Sequence, residues 1–81
     1  MSTFKGAEWD LIKDDIMLRA LRYKFAKGST LAHQLIDTAP SILIEHTLKD
    51  NYWGDGGDGS GKNMLGTLLM KVRDELMEQS K

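Results

Sequence analysis

Five of the chain's eight glycines fall between residues 54 and 61, interleaved with Asp55 and Asp58 and preceded by Tyr52 and Trp53. Glycine loses more backbone freedom on folding than any other residue. A chain of 81 residues folds with a margin of only a few kcal/mol, so such a run is kept where something must lie close to the main chain. The stretch 50–63 is therefore the candidate site. Its polar groups are Asp50, Asp55, Asp58 and Asn63, and the face of Trp53 stands ready beside them.

The rest of the chain reads as support for that stretch. Over residues 7–27, Trp9, Ile12, Ile16, Ala20 and Tyr23 recur every three or four positions, with Met17, Leu21 and Phe25 widening the stripe. This spacing predicts an amphipathic helix whose apolar face turns inward, and Gly28 is a natural stop for it. Ser29 or Thr30 caps a second, shorter helix through about Asp37, with Leu31, Leu35 and Ile36 inward and Pro40 ending it. Residues 41–46, centred on Ile42, Leu43 and Ile44, read as a short strand. Asn63 can cap a last helix to about Gln79 with Leu65, Leu68, Leu69, Val72 and Leu76 on one face. Gly66, early in that helix, costs about 1 kcal/mol relative to alanine and signals a close neighbour or ligand. A single strand has no pairing partner in this chain, so it is either an edge open to solvent or completed by another polypeptide.

With 41% hydrophobic and 28% charged residues, the chain has a globular composition as one domain over 1–81. A net charge of −1 gives no case for nucleic acid or an acidic membrane as partner. No cysteine is present, which excludes disulfides, thiolate zinc sites and thiol nucleophiles. No apolar run approaches the roughly 20 residues that span a bilayer, and the start has no signal-peptide stretch, so the expected location is the cytoplasm.

Several motifs compete for the loop. Gly56 to Lys62 satisfies G-x-x-x-x-G-K, but Asn63 follows where a P-loop needs a hydroxyl for magnesium. Asp50, Asp55 and Asp58 do not alternate as a calcium loop requires, and the twelfth position from Asp55 is Gly66. No metal ion is expected. His33 reads as a surface residue, and His46, beside Glu45, reads as structural ahead of a functional role. Met17, Met64, Met70 and Met77 read as core filling, and Arg73, Asp74, Glu75 and Glu78 as a solvated helix face. Trp53 has two compatible readings, a core anchor or a platform for a planar or sugar ring.

The residues Ile44-Glu45-His46, Asp50, Tyr52-Trp53-Gly54-Asp55-Gly56-Gly57, Gly59, Gly61-Lys62-Asn63, Leu65-Gly66, Leu69-Met70 and Arg73 resemble the C-terminal half of the NADAR family. Met17, Ala20-Leu21, Lys24-Phe25, Leu31, Leu35 and Thr38 extend the likeness, which runs from about Trp9 to Leu76. The resemblance implies an α+β domain, of which this chain is a mainly helical fragment with three helices and one short strand. It also implies hydrolysis of N-glycosidic bonds, in phosphorylated ribosyl-aminopyrimidine intermediates of riboflavin synthesis or in ADP-ribose-type conjugates, without a cofactor.

On that reading Trp53 and Asp55 are the catalytic candidates. Asp50, Gly54, Gly56, Gly57, Asp58 and Asn63 are the substrate-binding ones. Carboxylates stabilise the positive charge that develops on the sugar, and glycine amides hold a phosphate. The family's N-terminal W-P-[ST]-x-E-x-x-[YF]-Q-A-x-K-F segment, whose glutamate belongs to the active site, is not in this sequence. The chain is thus expected to work with a partner supplying that half, to form a homodimer or binding module, or to fold without activity.

Overall fold

The computed structural model describes residues 6–79. Three helices form: α1 at Gly6–Lys24, α2 at Thr30–Asp37 and α3 at Met64–Gln79. α3 packs against both α1 and α2. Between the three helices lie Leu21, Ala32, Leu35, Leu68, Val72 and Leu76, a small buried core.

α1 ends three residues before the expected position. The Phe25 N–H still donates to the Leu21 carbonyl at 2.9 Å, after which the chain turns through Gly28, whose φ of +84° is left-handed. Its inward face also differs from the expectation. Leu21 is buried with Met17, Leu18 and Phe25 beside it, whereas Trp9, Ile16, Ala20 and Tyr23 face outward, Tyr23 at 88% exposure. The helix is apolar on two sides, and α3 covers one of them. The uncovered side is the one whose residues recur most regularly in sequence.

α2 forms as expected, with the Ser29 hydroxyl accepting the Ala32 N–H at 3.1 Å as an N-cap. Ala32 and Leu35 are its buried residues, while Leu31 stays exposed. α3 buries Leu68, Val72 and Leu76, with Leu65 and Leu69 partly buried against the same core. Two charged residues of α3 depart from the solvated face expected of them. Arg73 is only 6% exposed, and its Nη1 donates to Thr38 Oγ1 at 2.9 Å and to the Ser41 carbonyl at 2.8 Å. Glu75 takes a forked pair of bonds from Arg22 of α1, at 3.0 and 2.6 Å, which hold its carboxyl below the usual range.

Among the described residues there is no strand, which corrects the expectation for residues 41–46. The segment instead lies along the start of α3 and bonds in one direction only. Leu43 N–H reaches Met70 Sδ at 3.5 Å, and the Leu43 carbonyl accepts from Asn63 Nδ2 at 2.9 Å. Glu45 N–H donates to Asn63 Oδ1 at 2.8 Å, and the Glu45 carbonyl accepts the Asp55 N–H at 2.8 Å. Thus residues 43 and 45 satisfy their backbone groups without a neighbouring strand. The main-chain groups of Ile42, Ile44 and His46 have no partner among the described residues. An alternation of this kind is the hydrogen-bonding habit of a strand, with one edge engaged and the other open.

Gly66 answers to this segment. An added Cβ would lie 2.5 Å from Asn63 Nδ2 and collide with the Leu43 carbonyl, so the close neighbour is protein backbone. Among the described residues, no helix is long and apolar enough to cross a membrane.

Candidate functional site

The loop between the open segment and α3 is built by its own carboxylates. Asp50 opens it: Oδ1 accepts the N–H groups of Tyr52 at 2.9 Å and Trp53 at 2.8 Å, an Asx turn that reverses the chain. Gly54 follows where three backbones meet. A Cβ there would lie 2.7 Å from the Glu45 carbonyl oxygen and 2.9 Å from that of Asp50, so no side chain fits.

Asp55 is the hub. Its Oδ1 accepts the N–H of Gly57 at 2.8 Å and of Thr47 at 3.2 Å, and its Oδ2 lies 2.8 Å from His46 Nδ1. Its own N–H is held by Glu45, and its carbonyl accepts from Gly61 at 2.7 Å. The residue is 7% exposed, whereas the His46 side chain is 70% exposed. The pair shapes its own charge. Bonding to His46, then to the Gly57 amide, lowers the Asp55 carboxyl below its ordinary range against the opposing effect of burial. The same bond raises His46.

Other expected site residues lie around this hub with narrower freedom than the sequence suggests. Gly56 and Gly57 have left-handed φ values of +74° and +91°, and their amides go to the Asp50 carbonyl and Asp55 Oδ1. They shape the loop, and these amides are not free to cradle a phosphate. Asp58 folds back on the Ser60 N–H at 2.9 Å, and bonding to Ser60 lowers its carboxyl while its side chain remains exposed. Asn63 precedes α3, and its carbonyl starts the helix by accepting from Thr67 at 3.0 Å. Its side chain does not cap that helix, because it is turned back to Leu43 and Glu45. The first N–H groups of α3, from Met64 and Leu65, are taken by the carbonyls of Tyr52 and Trp53 at 2.8 and 2.9 Å.

Trp53 is half-buried against the core and meets Tyr52 edge-on, ring centroids 4.9 Å apart at 86°. It is thus a core anchor here, and the described residues enclose no pocket beside it. Tyr52 ties the loop to α1: its hydroxyl donates to Asp14, and Lys13 Nζ lies 3.5 Å from its ring centroid. Lys62 approaches the same ring at 5.3 Å. Burial, then the bond to Asp14, pushes the Tyr52 hydroxyl far above its ordinary range.

Two further residues take part, His46, which the sequence marks as structural first, and Tyr52, which it marks only as a neighbour of Trp53. Nothing in the nine-residue interval from His46 to Asp55 marks a pair, since the contact exists only once the loop closes. The loop as a whole combines an ionised carboxylate beneath the surface, an imidazole above it, and an indole anchored in the adjoining core.

The chain belongs to the NADAR domain family, whose profile matches residues 1–77. It is 52% identical over 68 residues to the N-glycosidase YbiA of Escherichia coli, covering 84% of this chain and 42% of that protein. It is 48% identical over 73 residues to the riboflavin biosynthesis protein VVA0006 of Vibrio vulnificus, covering 90% of this chain and 20% of that protein. The chloroplastic riboflavin biosynthesis protein PYRR of Zea mays shares 41% over 70 residues, 86% of this chain and 11% of that one. The chain therefore spans less than half the length of these relatives. No solved structure matches it.

Proposed function

We propose that this chain is the C-terminal half of an N-glycosidase-type domain. The domain hydrolyses the ribosyl C–N bond of phosphorylated riboflavin-pathway intermediates or ADP-ribose-like conjugates, and residues outside these 81 supply its N-terminal half. The observation that carries this reading is the Asp55 hub: a nearly buried, ionised carboxylate held by two amides and an imidazole beside the open segment. Cleavage of a ribosyl C–N bond builds positive charge on the sugar, and a fixed negative group lowers that barrier without reorganising. Trp53 supplies the adjoining aromatic wall. Asp50, Gly54, Gly56, Gly57 and Asn63 hold the loop that places both, and Asp58 is the exposed carboxylate available to a substrate hydroxyl. The names of the relatives suggest an N-glycosidic bond and the riboflavin pathway, and the ADP-ribose-like alternative rests on the family resemblance alone.

An N-terminal half of the domain packed against these residues would account for what the described residues leave open. Ile42, Ile44, Leu48, Trp9, Ile16 and Tyr23 are exposed apolar side chains, and the main chain of residues 42, 44 and 46 offers an unpaired edge. A second segment that adds a strand there and covers α1 would bury both and raise the wall that the loop lacks. A homodimer that uses the same surface, with nucleotide-sugar binding but no turnover, is the second reading. The exposed stripe favours it equally.

The test mixes the 81-residue chain with the part of the E. coli N-glycosidase that precedes the matched region. Released ribose phosphate is followed from ribosylaminopyrimidine phosphate, and released ADP-ribose from an N-linked ADP-ribosyl conjugate. Hydrolysis is expected only in the mixture, with a loss of about 10²–10³-fold for Asp55→Asn. Release that is undiminished in Asp55→Asn and Trp53→Ala removes the site assignment. A two-fold dimer that excludes the added half, with no release, favours the second reading.

A further inference from the structure

His46 stands out because its two ring nitrogens have different surroundings. Nδ1 is fixed 2.8 Å from Asp55 Oδ2, while Nε2 has no hydrogen bond among the described residues and the side chain is largely exposed. Asp55, in contrast, is already engaged by two amides at Oδ1 and by the imidazole at Oδ2. A buried carboxylate that orients an imidazole by one nitrogen leaves the other nitrogen to meet the reacting group. We propose that His46 is the proton donor to the departing nitrogen of the substrate, acting through Nε2, and that Asp55 is the residue that positions it.

This rests on the N-glycosidase reading above. Such a reaction needs an acid, because an amine leaving without a proton departs as an unstable anion. Asp55 is unsuited to that task, since its carboxyl is held in the ionised form by its partners. His46 is suited, since the same contact favours its protonated form. The charged group facing the imidazole is Asp55; Asp58, farther along the loop, is turned onto Ser60. As the C–N bond breaks, its electron pair goes to nitrogen, and the Nε2 proton follows to give the neutral amine. Water adds to the sugar carbon and releases one proton, which returns to the imidazole, so the cycle closes with no further reactant.

The reconstituted mixture tests this with two substrates that differ in their need for an acid. Ribosylaminopyrimidine phosphate has a leaving nitrogen that must be protonated, whereas 4-nitrophenyl ribofuranoside 5-phosphate releases a stable anion. His46→Gln is expected to lose about 10²–10⁴-fold on the first and under about 10-fold on the second. Asp55→Asn is followed by the imidazole nitrogen resonances, where the Nδ1–H signature and the raised titration of His46 should both be lost. Equal losses on the two substrates, or none on the first, overturn the assignment while leaving the N-glycosidase reading intact. Failure of the unmutated mixture to cleave either substrate overturns both. Retained helical circular dichroism in His46→Gln shows that any loss is not one of folding.

Discussion

Asn63 joins the open segment to α3, and replacing it separates two kinds of energy. Its amide makes two bonds, from Nδ2 to the Leu43 carbonyl and to Oδ1 from the Glu45 N–H, at 2.9 and 2.8 Å. Its φ of +50° is left-handed, a region asparagine tolerates and alanine does not. Two ordinary hydrogen bonds contribute about 1–3 kcal/mol net, and alanine in the left-handed region costs about 1 kcal/mol more. Asn63→Gly, which loses the bonds but accepts the backbone, is expected to destabilise by about 1–3 kcal/mol. Asn63→Ala should cost about 2–4 kcal/mol. For 81 residues the total stability is on the order of 4–12 kcal/mol, so the alanine variant removes a large share of it. Urea unfolding followed by circular dichroism measures both. Equal midpoints for the two variants would refute the backbone argument. A cost for Asn63→Gly below about 0.5 kcal/mol would show that the amide bonds hold nothing in place.

The His46–Asp55 pair and Arg73 make further predictions. His46 is raised from its ordinary 6.5, so its contribution is complete below 6.5 and is lost as pH rises through the folded value. Asp55 is lowered from its ordinary 3.8, so its contribution is present above 3.8 and is lost as pH falls through the folded value. The pair therefore stabilises most between 3.8 and 6.5. The difference in urea midpoint between the unmutated chain and His46→Gln should shrink from about pH 5.5 to about pH 8.5, and a constant difference would contradict the pairing. Arg73 buries its stem with Nε unpartnered among the described residues. Its Nη1 nevertheless holds Thr38 and Ser41, so Arg73→Met, which keeps the stem and loses both bonds, should cost about 1–3 kcal/mol, whereas Arg73→Ala, which also leaves a void, should cost about 3–5 kcal/mol in the same assay.

What could be read without coordinates was local. The Ser29 cap reaches three residues to Ala32, and α3 shows its inward face in the spacing of Leu68, Val72 and Leu76. Such signals act within a turn of helix, so the sequence carries them whole. The glycines and acids of residues 50–63 likewise announced a special loop, and the family pattern through Trp53, Asp55 and Asn63 located it.

Tertiary structure decided the rest. α1 has two apolar sides, and only the position of α3 selects Met17, Leu21 and Phe25 over Trp9, Ile16 and Tyr23. Residues 41–46 have strand-like composition, but a ladder needs a neighbour, and Asn63 and Asp55 serve residues 43 and 45 in its place. His46 meets Asp55 for the same reason: the contact spans a closed loop, and its energy depends on burial and backbone amides that no spacing rule records. The sequence by itself determined where the helices run and where the special loop lies, because those depend on neighbours along the chain. Which faces are covered, and which carboxylate is held beneath which imidazole, depend on neighbours across it.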